Sequence, residues 1–331
     1  MKTRGIGDVI RVLHSSPRPS ADTSYGSLMK ASSSSDVVDL FFSWRIALTG
    51  KYDVVHLHWP EALLRDPRRP RRILKRVLTI VLLIRLRVRR IPVVRTAHNL
   101  HPHEPGGRLE NALLRVLDRS TAAFISLNGE TTVPERALNA LVPHPSYVTS
   151  YSKHGRKSPL PGRLLYFGMI RPYKGIESLI SEFSRIEDPA IDLRLVGSST
   201  SALASKIEKS ASIDGRISYL LEFVDDRSLV SEITRASLVV LPYKAMHNSG
   251  AVLAALSLGR RVLVPRNSVN TSLAAEVGHG WIEMYEGELS ADALLAALRA
   301  ETPQGEPNLE SRSMESIGAR LSAVYRSVLT K

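Results

Sequence analysis

The chain has 331 residues, 45 Lys+Arg against 32 Asp+Glu, a formal net charge of +13 and no cysteine. The length fits two α/β domains of roughly 150 residues each, and a hydrophobic fraction of 43% excludes a disordered or collagen-like chain. Absence of cysteine removes a disulfide framework, a zinc ribbon and a thiol nucleophile. It suits a reducing cytosol.

Met1 to Leu13 has no apolar stretch long enough for a signal peptide, so a cytoplasmic location is expected. The first strands are predicted at Val9–Leu13, Val37–Phe41 and Asp53–Leu57. The third runs into His56-Leu57-His58-Trp59-Pro60-Glu61. On a strand His56 and His58 share one face. Trp59 and Glu61 fall in the following loop, where an aromatic ring and a carboxylate suit a sugar. His58, Trp59 and Glu61 are candidate acceptor contacts; one core histidine and a capping glutamate is the plainer alternative.

From Arg65 to Arg95 the chain carries twelve cations and one acid, Asp66, so most of the net charge sits in 31 residues. Such a patch points to a polyanion. The segment lacks interleaved aromatics and any zinc-finger or RNP motif, which argues against nucleic acid. Its apolar run, Val77 to Ile84, is far short of the ~20 residues that span a bilayer. An interfacial helix over Ile73–Val88 that meets an anionic membrane face, on the inner side of the cell membrane, remains open beside a core helix with solvated ends.

The next strand, Pro92–Thr96, leads into His98-Asn99-Leu100-His101-Pro102-His103-Glu104. The spacing matches no helical zinc motif, and no metal is expected. Asn99 is a candidate acceptor contact; His98 and Glu104 are candidate catalytic groups, Glu104 as general base. Helices at Arg108–Leu117 and Thr131–Leu141 flank a strand at Ala122–Leu127. A polar stretch, Ser150 to Pro161, reads as a linker.

The rhythm then restarts. Strands are predicted at Arg163–Phe167, Asp192–Val196, Ser218–Val224, Leu238–Leu241 and Arg261–Pro265. Helices are predicted at Gly175–Phe183, Ala202–Ala211, Asp226–Ala236, Gly250–Leu258 and Ala291–Ala300, with a last helix over Met314–Thr330. The expected class is α/β with two doubly wound parallel sheets. Ligands of such sheets lie beyond the carboxyl ends of the strands. After the strand Arg163–Phe167 comes Gly168-Met169-Ile170-Arg171-Pro172-Tyr173-Lys174-Gly175. Gly168 would admit a ligand to the backbone, and Arg171 and Lys174 bring cations to a helix start, as a diphosphate requires. After Leu238–Leu241 come Tyr243, Asn248, Ser249 and Gly250, a second helix start with a capping hydroxyl. No P-loop is present, and Gly5-Ile6-Gly7 precedes the first strand instead of following it. A P-loop NTPase and a simple dinucleotide oxidoreductase are disfavoured.

The order of these elements resembles the GT-B nucleotide-sugar glycosyltransferases over nearly the whole chain. Gly168–Gly175 is similar to the family's Gly-Arg-x-x-x-x-Lys-Gly diphosphate motif, with Met169 in place of the arginine. Pro242 to Val264 is similar to its donor-binding segment. At the two glutamates of retaining members stand Met246 and Ala254. The pattern is closest to variant bacterial polysaccharide transferases, including xanthan-type GDP-mannose β-mannosyltransferases. The resemblance implies two Rossmann-like domains facing a cleft: an acceptor domain over 1–150, a donor domain over 151–312, and a helix over 313–331 returning to the first. It implies metal-independent transfer of a sugar from a nucleoside diphosphate to a glycan or lipid-linked acceptor, with no cofactor beyond the sugar nucleotide itself; the missing glutamates favour inversion, with retention the open alternative, in which His98 would only position the acceptor. Donor binding falls to Gly168, Arg171, Lys174, Tyr243, Asn248, Ser249 and Gly250. A sugar-nucleotide epimerase and a non-catalytic binding protein are the alternatives.

Overall fold

The computed structural model describes residues 9–18, 25–98, 106–244, 246 and 248–330. Contacts divide them into two units: residues up to 145 together with those from 311 onwards, and residues 146–310.

In the first unit the chain runs β1 (Ile10–His14), α1 (Tyr25–Ala31), β2 (Val37–Phe41), α2 (Trp44–Thr49), β3 (Val54–Leu57), α3 (Arg69–Val88), β4 (Val93–Ala97), α4 (Arg108–Ser120), β5 (Thr121–Ser126) and β6 (Leu138–Leu141). The strands form one parallel sheet in the order β2-β1-β3-β4-β5-β6. β3 is buried along its whole length, as expected for a central parallel strand covered on both faces. Thr131–Leu141, expected as a helix, instead ends in the edge strand β6. Pro134 interrupts the helical pattern, and burial then alternates along Leu138–Leu141, the signature of a strand.

The second unit contains α5 (Val148–Tyr151), β7 (Arg163–Phe167), α6 (Ile176–Phe183), β8 (Asp192–Val196), α7 (Ser201–Ile213), β9 (Ile217–Leu220), α8 (Asp226–Arg235), β10 (Leu238–Val240), α9 (Gly250–Leu256), β11 (Val262–Pro265), α10 (Ser268–Val277), β12 (Ile282–Tyr285) and α11 (Ala291–Arg299). Its parallel sheet has the order β12-β11-β10-β7-β8-β9. β12 and α10 were not readable as separate elements, nor were α1 and α2 in the first unit.

The last helix, α12 (Met314–Leu329), belongs to the first unit. Ile317, Leu321, Val324, Tyr325 and Val328 share a core with Ile10, Val12, Val54, Val94, Ala123 and Ile125. Five such side chains contribute on the order of 10 kcal/mol of burial before entropy is counted. Both sheets change winding direction once: between β1 and β3 in the first, and between β7 and β10 in the second. These switch points are where ligands enter doubly wound sheets.

Candidate functional site

At the second unit's switch point the loop after β7 meets the loop after β10. The amide of Lys244 donates to the carbonyl of Tyr173 at 3.2 Å. Gly175 has φ +72, and a Cβ there would lie 2.1 Å from the Pro242 carbonyl oxygen, so only glycine permits this approach. The ammonium of Lys174 sits 3.4 Å from the centroid of the Tyr243 ring, a cation–π geometry. Burial pushes the Lys174 amine down to about 8. Gly168, at the end of β7, has φ +109, and a Cβ there would meet nothing within 4 Å. Its amide donates to the Val196 carbonyl at 2.9 Å, so the room at Gly168 lies on the side a Cβ would take. Arg171 turns its guanidinium back to the carbonyl of Ile170 at 2.8 Å. Ser249 caps α9, accepting from the amide of Val252 at 3.4 Å, with Gly250 opening the helix and Asn248 in the loop before it. Gly168, Lys174 and Tyr243 are thus brought together on strand ends; Ser249 also does ordinary capping work.

The first unit's switch point is built differently. His14 ends β1, and His56 and His58 lie at the end of β3. All three rings are buried, with the centroids of His56 and His58 4.1 Å apart and those of His14 and His58 5.2 Å apart. His14 Nε2 lies 2.7 Å from the Asp39 carboxylate, and His14 Nδ1 lies 2.9 Å from His58 Nε2. The two nitrogens of His56 are held at 2.7 Å by the Tyr325 hydroxyl of α12 and the Thr96 hydroxyl of β4. Trp59 stacks on His98 at 4.2 Å and 13°, and the Tyr25 ring meets His98 edge-on at 4.6 Å. Desolvation, with a smaller contribution from neighbouring imidazoles, holds His56 and His58 well below the usual histidine range. Burial likewise pushes His98 down to about 3 and His144 to about 4. His56, His58, His98 and His144 are therefore neutral at physiological pH.

The nitrogens of His14, His56 and His58 lie within 4.8 Å of one another, the spacing of a metal ligand set. Five of these six nitrogens are already hydrogen-bonded within the protein, so the residues fit a polar network better than an ion needing a free lone pair from each. Glu61 opens a short 3-10 turn after Trp59. Asn99 and Glu104 lie outside the described residues. His14, Asp39, Thr96 and Tyr325 were not singled out from the sequence. His14 had a signal, a histidine ending the first strand; Tyr325 had none, because its spacing within α12 is that of a core residue.

Residues 161–299 match the family model described as Glycosyl transferases group 1. Over 327 residues, 97% of this chain and 93% of the relative, the sequence is 41% identical to a Xanthomonas campestris pv. campestris protein named GDP-mannose:glycolipid 4-beta-D-mannosyltransferase. The chain belongs to this glycosyltransferase family. Among solved structures it resembles Anabaena HepE in complex with UDP and glucose (TM-score 0.60, 13% identity, 97% and 96% of the two chains). It also resembles an E. coli structure titled trehalose-6-phosphate bound with UDP-2-fluoro glucose (TM-score 0.64, 9% identity, 97% and 99%). These structural likenesses define the fold, which is GT-B. The protein is a hexosyltransferase that uses a nucleotide sugar. The epimerase and non-catalytic alternatives find no support in these relatives.

Proposed function

We propose that the protein transfers mannose from GDP-mannose to a hydroxyl of a lipid-linked glycan, with inversion at the transferred carbon, on an anionic membrane surface. The observation that carries the donor half is the Lys174 ammonium over the Tyr243 ring at the β7/β10 switch point, with unfilled space where a Gly168 side chain would lie. The Lys174 ammonium can offset part of the charge that develops on a departing diphosphate. Arg171 would complete this set by swinging off the carbonyl of Ile170. We assign no resident metal to the step, and the transfer rate should be unchanged by EDTA.

Mannose, guanine and the glycolipid acceptor are suggested by the name of the Xanthomonas relative. A β product from an α-linked sugar nucleotide requires inversion, and Met246 and Ala254 agree with it by replacing the glutamates of retaining members. Inversion needs a base for the acceptor hydroxyl.

The membrane reading rests on α3. Ile73, Val77, Ile80, Val81, Ile84 and Val88 are exposed at the i, i+4, i+7 and i+8 spacing of one helix face, while Thr79, Leu82 and Leu86 are buried. Arg68, Arg69 and Arg71 at one end and Arg87, Arg89 and Arg90 at the other are exposed as well. An apolar stripe with arginine at both ends suits a helix lying in a headgroup layer, each arginine adding about 1 kcal/mol near an anionic surface. No helix among the described residues is long and apolar enough to cross a membrane.

A thermal-shift panel of GDP, UDP, ADP and their sugars tests the donor, with stabilisation expected from GDP and GDP-mannose; a response to UDP alone would refute it. The anomeric proton coupling of the product tests inversion. Flotation with liposomes tests α3: binding should require anionic lipid, and equal binding to neutral vesicles would remove the electrostatic part.

A further inference from the structure

Of the six ring nitrogens in the His14, His56 and His58 cluster, one, His58 Nδ1, is buried and has no hydrogen-bond partner. The side chain that bears it is 3% exposed. Protein interiors rarely leave such an atom unpaired, and each case calls for an explanation.

The network fixes what that atom is. The Asp39 carboxylate accepts at 2.7 Å from His14, so a neutral His14 carries its proton on Nε2. His14 Nδ1 is then a lone pair, and the group opposite it at 2.9 Å, His58 Nε2, must be the donor. His58 therefore holds its own proton on Nε2 and presents a bare lone pair at Nδ1. The Ser33 hydroxyl also donates to Asp39, and the backbone amide of His58 donates to the Ser15 hydroxyl at 2.9 Å, which fixes both ends of the chain. Trp59, 37% exposed and stacked on His98, lies 5.9 Å from the His58 ring.

We propose that His58 is the catalytic base for the acceptor hydroxyl, with His14 and Asp39 as its positioning residues; the proposal rests on the inverting reading above. The acceptor O–H bond breaks and its proton goes to His58 Nδ1. The oxygen pair forms the new bond to the anomeric carbon, and the bond from that carbon to the diphosphate breaks with its pair leaving on the nucleotide. His58 passes its Nε2 proton to His14 Nδ1, so the positive charge comes to rest on His14 against the Asp39 carboxylate. This path explains how an imidazole held neutral by burial can still accept a proton during turnover: the cation ends in an ion pair with a carboxylate.

Two measurements test it. In histidine-15N-labelled full-length protein without substrate, His58 should show a pyridine-type signal at Nδ1 and a pyrrole-type signal at Nε2; a proton on Nδ1, or a doubly protonated His14, overturns the proposal. This reading is independent of which donor is used. With GDP-mannose and acceptor, His58→Gln should lower kcat about 1,000-fold and Asp39→Asn about 100-fold, within the range of general-base catalysis, both with donor KM near wild type. Wild-type kcat in the folded Asp39→Asn enzyme overturns the relay. A wild-type enzyme that prefers another sugar nucleotide would revise the donor assignment and leave the comparison of variants intact.

Discussion

The two sheets use the same topological position for opposite chemistry. Beyond β7 and β10 lies a charged site: glycines at positive φ, space where a Gly168 side chain would lie, and a lysine poised over a tyrosine ring. Beyond β1 and β3 lies a closed one: three buried imidazoles, a carboxylate and a tyrosine hydroxyl, linked at 2.7 to 2.9 Å. A diphosphate arrives with its own charge and needs only cations and amides. A sugar hydroxyl arrives neutral, and moving its proton needs groups whose protonation is already decided. On the proposed reading, one fold used twice divides a transfer reaction into holding charge and moving protons.

Acid should separate the two units most strongly. His56 and His58 have folded values well below 6.5, so the unfolded chain binds more protons than the folded one in acid. The stability due to their neutral burial is complete above pH 6.5 and is lost as pH falls below it, at roughly 1.4 kcal/mol per pH unit for each ring. Hydrogen exchange between pH 7 and 5 should show β1, β3 and α12 losing protection well before β7 and β10. Equal loss in both units would break the contrast.

Gly175→Ala attacks the other site. Its Cβ meets a backbone oxygen at 2.1 Å in a left-handed conformation, and we expect about 2–3 kcal/mol of destabilisation together with loss of nucleotide binding, read by urea melts and by calorimetry with GDP. Full stability would mean that the loops are not held as close as described.

Lys174→Ala should weaken nucleotide binding about tenfold, or about 1.4 kcal/mol, with the fold intact. On the proposed reading the cationic form binds the diphosphate, and burial lowers the amine of the free protein to about 8. Donor affinity should therefore hold below pH 8 and fall above it, while Lys174→Arg should extend the plateau upwards. An affinity flat to pH 10 would leave the lysine without a role in charge.

The smallest effect belongs to Tyr325→Phe, which removes one hydroxyl from His56 Nδ1. About 1–2 kcal/mol should be lost, because a buried nitrogen is left unpaired. Thermal unfolding would measure it, and an unchanged melting temperature would show that water takes the place of the hydroxyl.

Much of this was legible in the sequence, for identifiable reasons. β2, β7 and β8 fall on their expected residues because each is a short apolar run bounded by turn formers. His56 and His58 share a face because a strand has period two. The Gly168–Gly175 loop was readable because the glycines, the lysine and the helix start are contiguous. The first unit's site was only half readable. His56, His58 and Trp59 stood out, but the rest of the network, His14, Asp39 and Tyr325, comes from β1, β2 and α12, and nothing local marks Tyr325 as the partner of His56, 269 positions away. β6 failed because an edge strand of four residues carries little pattern and the preceding polar segment looked helical.

The packing of α12 into the first core also has a consequence for how the molecule is made. A ribosome that has finished β1 to β6 has not yet produced Ile317, Leu321, Val324, Tyr325 or Val328, and the whole of residues 146–310 must emerge before they do. The first sheet to be synthesised is thus the last to be completed. Until then one of its faces is uncovered and His56 lacks its tyrosine, so the nascent chain carries its histidine cluster unfinished through most of translation.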